Sequence, residues 1–331
     1  MEIKDLGEFN LIDKIAELIQ KDSTAADANL ILNIGDDTAA WKNKDAMSLI
    51  TVDCLVENIH FRTKNTTPNA LGWKALAVSL SDIAAMGGIP KYALFSLALP
   101  AETETEYVLD IYKGILELAN KFGTKIIGGN ISKAPLLFID SVVYGVSADP
   151  NVMLTRSAAK PGDLIAVTGD LGAAAGGLKI IEDNLTFADE IKKPLTEGLN
   201  QPYPRIKEGQ KLAAGGVKCA MDLSDGLVID LGHICKASGV GAIIEIESIP
   251  IHPELKAAFG ENAIDLALSG GEDYELLFTA EPQVIEKIKK QTDCRITVIG
   301  KIIADDNRQI NLTDSTGEIY TPPNKGWNHF G

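Results

Sequence analysis

Positive charge is scarce in this chain. It has 31 lysines and arginines against 46 aspartates and glutamates, a formal net charge of -15. Nucleic-acid binding rests on Lys and Arg patches that neutralise phosphates, so this balance argues against a nucleic-acid partner. Long apolar runs are missing too. No stretch reaches the ~18 apolar residues that would span a bilayer, and no membrane partner is expected. The opening residues MEIKDLGEFN carry acids and lack an apolar core, so no secretory signal is expected. Cysteine is sparse: Cys54, Cys219, Cys235 and Cys294 are scattered, with no C-x-x-C pair. That pattern argues against a zinc site or a disulfide framework and for a reducing, cytoplasmic setting.

What the chain does have is 331 residues at 45% hydrophobic content, enough for two cores. It also repeats one local arrangement, an apolar run that delivers glycine and carboxylates. Asn33-Ile34-Gly35-Asp36-Asp37-Thr38-Ala39 is the first case, and in isolation it reads equally as an acidic turn. Met47 to Asp53 reads as a strand ending on a carboxylate, where α/β proteins place ligands. Pro68 suits the first turn of a long helix running to Met86. On it Lys74, Val78, Ser81 and Asp82 share one side, and the other positions are mostly apolar. A carboxylate on so buried a helix is costly unless paired or metal-bound. The strand Lys125 to Ile127 runs into Gly128-Gly129-Asn130-Ile131-Ser132. Val217 to Met221 runs into Asp222-Leu-Ser224-Asp225-Gly226, and Gly270-Gly271-Glu272-Asp273 precedes another strand. Gly169 to Lys179 looks like a phosphate loop but fits neither G-x-x-x-x-G-K-[ST] nor G-x-G-x-x-G, so a close-packed helix start is the simpler reading. Ser147 to Asn151 is the linker candidate, dividing the chain into residues 1–148 and 149–331.

If Asp36/Asp37, Asp53, Asp82, Asp222/Asp225 and Glu272/Asp273 converge, their mutual repulsion requires cations. Oxygen-only donors and four histidines favour several Mg2+ ions over zinc. Bound Mg2+ would also let an acidic protein hold a polyphosphate.

Seven segments, in order, resemble thiamine-monophosphate kinase: GDDTA (35–39), TVDCLVENIHF (51–61), KALAVSLSDIAAMGG (74–88), IIGGN (126–130), LTRSAAKPGDLIAVTGDLG (154–172), MDLSDGL (221–227) and SGGEDYELLFT (269–279). That family is grouped with aminoimidazole ribonucleotide synthetase and selenophosphate synthetase. The resemblance implies a two-domain α/β plus α+β protein. Its N-terminal α/β domain dimerises through its sheet, and an ATP site lies in the cleft against the C-terminal α+β domain. It implies ATP as co-substrate and transfer of its γ-phosphoryl to thiamine monophosphate. By position, Asp37, Thr51, Asp53, Asp82, Asn130, Asp222 and Asp225 match metal ligands. Gly129, Asn130, Arg156 and Ser224 match ATP contacts; His60, Glu272 and Trp327 match substrate contacts. The chain departs from the family at Asn130, where Asp is usual, and at Val52, where a hydroxyl residue is often found. The alternatives are a sibling ATP-dependent synthetase or a paralogue that binds thiamine phosphates without turnover.

Overall fold

A computed structural model describes residues 8–20, 29–43, 46–149, 151–324 and 326–327. Pro150 of the expected linker, and most of the closing KGWNHF, lie outside these residues. Helix α1 (Glu8–Gln20) precedes strands β1 (Leu30–Leu32), β2 (Ala39–Lys42) and β3 (Met47–Val56). Helix α2 (Pro68–Ala85), β4 (Gly88–Leu99), α3 (Thr105–Phe122), β5 (Lys125–Lys133) and β6 (Phe138–Ser147) complete the first half. Its six strands run in the order β1-β2-β3-β6-β4-β5, with only the β4/β5 pair parallel. Along β3, Leu49, Thr51 and Leu55 are buried against α2, while Val52 on the opposite face is exposed. That period of two assigns alternate residues of one strand to two different tasks.

Helix α2 starts where the Thr67 side chain accepts the Ala70 N–H at 3.2 Å, with Pro68 in the first turn. It is buried all round because the sheet, α3 and the second half of the chain surround it. Helix α3 is amphipathic, burying Ile111, Gly114, Ile115, Leu118 and Ala119, and ends at Gly123 with φ 69°.

The second half places β7 (Leu164–Thr168), α4 (Ala173–Glu182), α5 (Asp189–Asn200), α6 (Ile206–Gly215) and β8 (Cys219–Asp222). Then come α7 (Leu227–Ser238), β9 (Gly241–Glu245), α8 (Pro253–Phe259), α9 (Ala263–Ser269), β10 (Leu276–Ala280), α10 (Pro282–Lys289), β11 (Ile296–Ile303) and β12 (Ile310–Thr313). This sheet also has six strands, ordered β12-β9-β11-β7-β10-β8, with β12 parallel to β9. The two halves share one core: Leu76 and Ile83 of α2 belong to the same buried cluster as Ala166, Leu212 and Phe278. Among the described residues, no helix is long and apolar enough to cross a membrane.

Two expectations about strands need correction. The strand through Asp53 continues to Val56, so this carboxylate sits within β3 and not at its end. It is tolerated there because its Oδ2 accepts the Ser79 hydroxyl of α2 at 2.7 Å. Likewise Gly128 to Ser132 is not a loop after a strand but part of β5, paired in parallel with β4. Gly129 allows that pairing, since a Cβ there would lie 2.0 Å from the Phe95 carbonyl oxygen.

Helices α2 and α3 cross at backbone contact. A Cβ on Gly72 would lie 1.8 Å from the Ile111 oxygen, and one on Gly114 would lie 1.8 Å from the Asn69 oxygen. Alanine gains about 1 kcal/mol over glycine in helix propensity, but overpacking against rigid backbone costs about 1–3 kcal/mol. Gly114→Ala is therefore expected to lower the urea midpoint of unfolding; an unchanged or higher midpoint would mean the helices separate freely.

Candidate active site

The polar stripe of α2 faces the inward residues of β3. Thr51 donates its hydroxyl to Asp82 Oδ2, and Ser79 bonds both Asp53 and Ser141. Asp222 closes the group from the end of β8 in the other domain. Asp37, Asp82 and Asp222 each offer an oxygen within 4.8 Å of the others. Arg156 reaches across to this group. Its Nε lies 3.2 Å from Asp37 Oδ1, and its Nη2 bonds the same oxygen. Asp37 Oδ2 is buried with no hydrogen-bond partner among the described residues. Asp36 shapes the turn: its Oδ1 accepts the Asp37 N–H at 3.0 Å and its Oδ2 the Arg156 N–H at 3.2 Å.

Two cavities meet here. The larger, about 1020 Å³, is walled by Asp37, Thr51, Asp82, Asp222, Arg156 and His233, among others. The smaller, about 430 Å³, has His60, Lys74, Asp225, Glu272, Tyr274 and Trp327 in its wall. Val52, Asp53 and Ser224 line both. His60 Nδ1 accepts the Val56 N–H at 3.0 Å, which places the ring proton of the neutral imidazole on Nε2. Lys74 is 2% exposed, and its Nζ lies 2.8 Å from both oxygens of Glu272. The sequence signal for this bond was a lysine on an otherwise apolar helix, but its partner lies 198 residues away. Trp327 is 48% exposed at the cavity rim, its N–H donating to the Asp225 carbonyl at 2.9 Å.

Gly129 and Asn130 do not join the group. They lie exposed on β5, three strands from β3, and line neither cavity. The glycine-rich start of α4 is close-packed: Gly172 donates its N–H to Asp273 Oδ2 at 2.8 Å, and a Cβ on Gly177 would meet the Leu195 oxygen at 2.3 Å. The protein's own carboxylate occupies the place where a phosphate would sit.

Crowding perturbs the acids. Burial first, and then the Asp37 charge, push Asp222 up to about 7 and Asp36 to about 6. Burial and the Asp53, Asp222 and Asp37 charges hold Asp82 well above the usual range, and burial raises Asp53. Asp273, buried behind the loop, rises to about 7. The folded chain thus holds more protons than the unfolded one from about pH 4 to about pH 7, and stability falls as pH rises through that window. His233, lowered to about 4 by burial and then by Arg156, acts oppositely below its usual 6.5. Several raised acids outweigh this one histidine, so the net fall runs through that window up to about pH 7 and is steepest below it. The thermal midpoint of the protein stripped of divalent cations is expected to drop by several degrees across that interval; a rise would contradict the crowding.

The chain is similar to known proteins over its whole length. The family model described as AIR synthase related protein, N-terminal domain, matches residues 35–147, and its C-terminal counterpart matches residues 160–312. Thiamine-monophosphate kinase of Aquifex aeolicus is 34% identical over 100% of both chains. That of Buchnera aphidicola subsp. Schizaphis graminum is 37% identical over 98% of this chain and 99% of its own. A solved structure of AaThiL complexed with AMPPCP and TMP superposes with a TM-score of 0.86 at 34% identity, covering 99% of each chain. Escherichia coli HypE, a hydrogenase maturation protein, shares the fold at 18% identity and a TM-score of 0.69 over 96% of this chain and 97% of that one. Likeness over the full length, at these identities, reaches beyond shared architecture: the chain belongs to the AIR synthase related family and, within it, to the thiamine-monophosphate kinases.

Proposed function

We propose that this protein transfers the γ-phosphoryl group of ATP to the phosphate of thiamine monophosphate, forming thiamine diphosphate. The observation that carries this reading is the pair of cavities meeting at Asp53 and Ser224. The larger takes the nucleotide and the smaller the thiamine phosphate, so donor and acceptor phosphates come together at the shared wall.

The residues present fit Mg2+. The donors are oxygens, three carboxylates lie within 4.8 Å of one another, and the buried Asp37 Oδ2 lacks a protein partner. Asp37, Asp53, Asp82 and Asp222 would hold the ions, with Thr51 and Asp225 beside them. When bound, Mg2+ neutralises phosphate charge and orients the two anions for in-line transfer.

The protein's own groups do the rest. Arg156, fixed by Asp37, places a permanent cation on the nucleotide side, and Ser224 lines the junction. His60 and Trp327 hold the substrate in the smaller cavity, and the Glu272 carboxylate suits a positively charged thiazolium. No general base is needed. The second pKa of a phosphate is about 6, so the attacking oxygen is already ionised at neutral pH. Catalysis then reduces to positioning and charge neutralisation. The sibling selenide chemistry draws on a reactive thiol near the N-terminus. Here Cys54, the first cysteine, is pushed up to about 11 by burial and then by Asp140, which disfavours its thiolate.

Dimerisation through the N-terminal sheet is supported by its open face. On the face away from α2, Val52 is 63% exposed, Ile127 57%, Tyr92 42% and Leu94 38%, an apolar patch and not one isolated residue. It also offers Gly129 and Asn130 a role. At about 4.8 Å per strand they lie roughly 14 Å from β3 in their own protomer, whereas the partner's Asn130 could reach the cleft across a sheet-to-sheet contact. The division of the chain at residues 148 and 149 is supported by Thr155, which already pairs with Cys219 of the second sheet domain.

An assay with ATP, Mg2+ and thiamine monophosphate tests the activity. Thiamine diphosphate is expected with the natural protein, and Asp53→Ala is expected to reduce its formation at least about a hundredfold. Absence of product at saturation would sink the reading, and binding without turnover would favour the inactive paralogue. For the dimer, sedimentation of Leu94→Glu is expected to give monomer where the natural chain gives dimer. A variant that remains dimeric would place the interface elsewhere.

A further inference from the structure

Loop 223–226 and the first turns of α7 enclose a second group of metal-ligating side chains. Asp225, Asp230 and His233 each present a donor atom within 4.8 Å of the others, the separation found among ligands sharing one ion. We propose that these three residues bind a divalent transition-metal ion (Mn2+, Co2+ or Zn2+) through two carboxylate oxygens and one imidazole nitrogen. The inference does not depend on the kinase reading.

The Asp230 carboxylate carries the argument. Its Oδ2 accepts three backbone N–H groups, from Ser224 at 3.1 Å, Asp225 at 3.2 Å and Gly226 at 3.0 Å. Those donors fix the group, while burial and then the Asp225 and Asp222 charges hold its carboxyl well above the usual range, a cost that a nearby cation would relieve. The three N–H groups come from the loop and its closing Gly226, so the carboxylate ties that loop to the first turn of α7. The other oxygen, Oδ1, is buried and has no hydrogen-bond partner among the described residues, and Asp230 as a whole is 1% exposed. A buried carboxylate oxygen left without a partner is unfavourable. A cation at Oδ1 removes that cost, and the backbone donors on Oδ2 are the kind of outer contact that orients a metal-binding carboxylate.

Spacing supplies the other two donors. Asp230 and His233 stand three residues apart and share one side of α7. Asp225, before Gly226, approaches from the loop. That loop can make the turn because Gly226 has φ 121° and packs against the Ser269 backbone, where a Cβ would come within 3.0 Å. An imidazole among carboxylates favours transition metals, whereas the oxygen-only Asp37/Asp82/Asp222 group favours Mg2+. Ser224 and His233 line the larger cavity, so an ion held here would tie α7 to the loop that carries Asp222 and Ser224.

The test uses the full-length chain loaded with Mn2+ in excess Mg2+, which competes for the oxygen-only group. Pulsed electron paramagnetic resonance reads nitrogen coupled to the bound Mn2+. The natural protein is expected to retain a bound Mn2+ with coupling from one imidazole. His233→Ala, or the closer-sized His233→Gln if the alanine variant does not fold, should lose that coupling and weaken Mn2+ binding at least about tenfold. Asp82→Asn should leave the nitrogen-coupled ion in place. No nitrogen coupling in the natural protein, coupling that survives both His233 changes, or coupling lost in a folded Asp82→Asn would overturn the proposal.

Discussion

Carboxylates crowded into a cleft between two domains set the terms for the rest of this structure. Asp37, Asp53 and Asp82 come from the first domain and Asp222 from the second, all largely withdrawn from water. Like charges at such separations repel strongly in a medium less polar than water. The fold must therefore hold the acids together against their own repulsion until cations arrive. It does so with a core continuous across both domains and with backbone-to-backbone packing. A Cβ on Gly209 of α6 would lie only 2.0 Å from the Ala84 oxygen of α2. Rigid docking is thus a precondition for the site.

Helix α2 is the spine of that docking. Its apolar residues fill the core on several sides, while Lys74, Ser79, Ser81 and Asp82 point polar groups toward β3, β6 and the second domain. The hydroxyls matter as much as the acids. Thr51 and Ser79 donate to Asp82 and Asp53, which holds both carboxylates in place without adding charge. Trp73 adds a further link, donating its indole N–H to the Pro202 carbonyl at 2.7 Å.

Much of this was legible in sequence because the signals are local. Proline at the start of α2, a glycine just past α3, and strand-like apolar runs such as Met47 to Asp53 declare their elements directly. Asp37 and Asp222 were flagged by glycine near an acid and Asp82 by its place on an apolar helix, and the structure brings an oxygen of each within 4.8 Å of the others. What sequence could not give was distance across the fold. The Asn130 amide of IIGGN was expected beside the acids of β3, yet it sits on the far edge of the sheet because the strand order places β6 and β4 between them. Asp53 was read as a strand end because a carboxylate inside a strand is unfavourable, and Ser79, which makes it tolerable, lies 26 residues on. Helix α5 was not foreseen. Ile191, Leu195 and Leu199 recur at every fourth position, but Pro194 inside the segment and its many charged residues argued against a helix.

The loop between α9 and β10 shows how the same docking governs the substrate end of the cleft. Gly271, Glu272 and Tyr274 all adopt left-handed backbone, at φ 66°, 59° and 50°. For the two non-glycine residues this costs about 1–3 kcal/mol each. Neighbouring contacts hold them there. Glu272 and Tyr274 donate their N–H groups to the Ser224 and Leu223 carbonyls at 2.8 Å, Asp273 caps α4, and Glu275 pairs with Arg205 at 2.7 Å. Alternate residues consequently face opposite ways. Glu272 and Tyr274 line the smaller cavity, while Asp273 and Glu275 line a separate cavity on the other side of the loop. Glu272 is then fixed by Lys74, from the other domain. The carboxylate that faces a cationic substrate is thus placed by a strained loop of one domain and a buried lysine of the other, so neither domain alone contains a complete binding pocket.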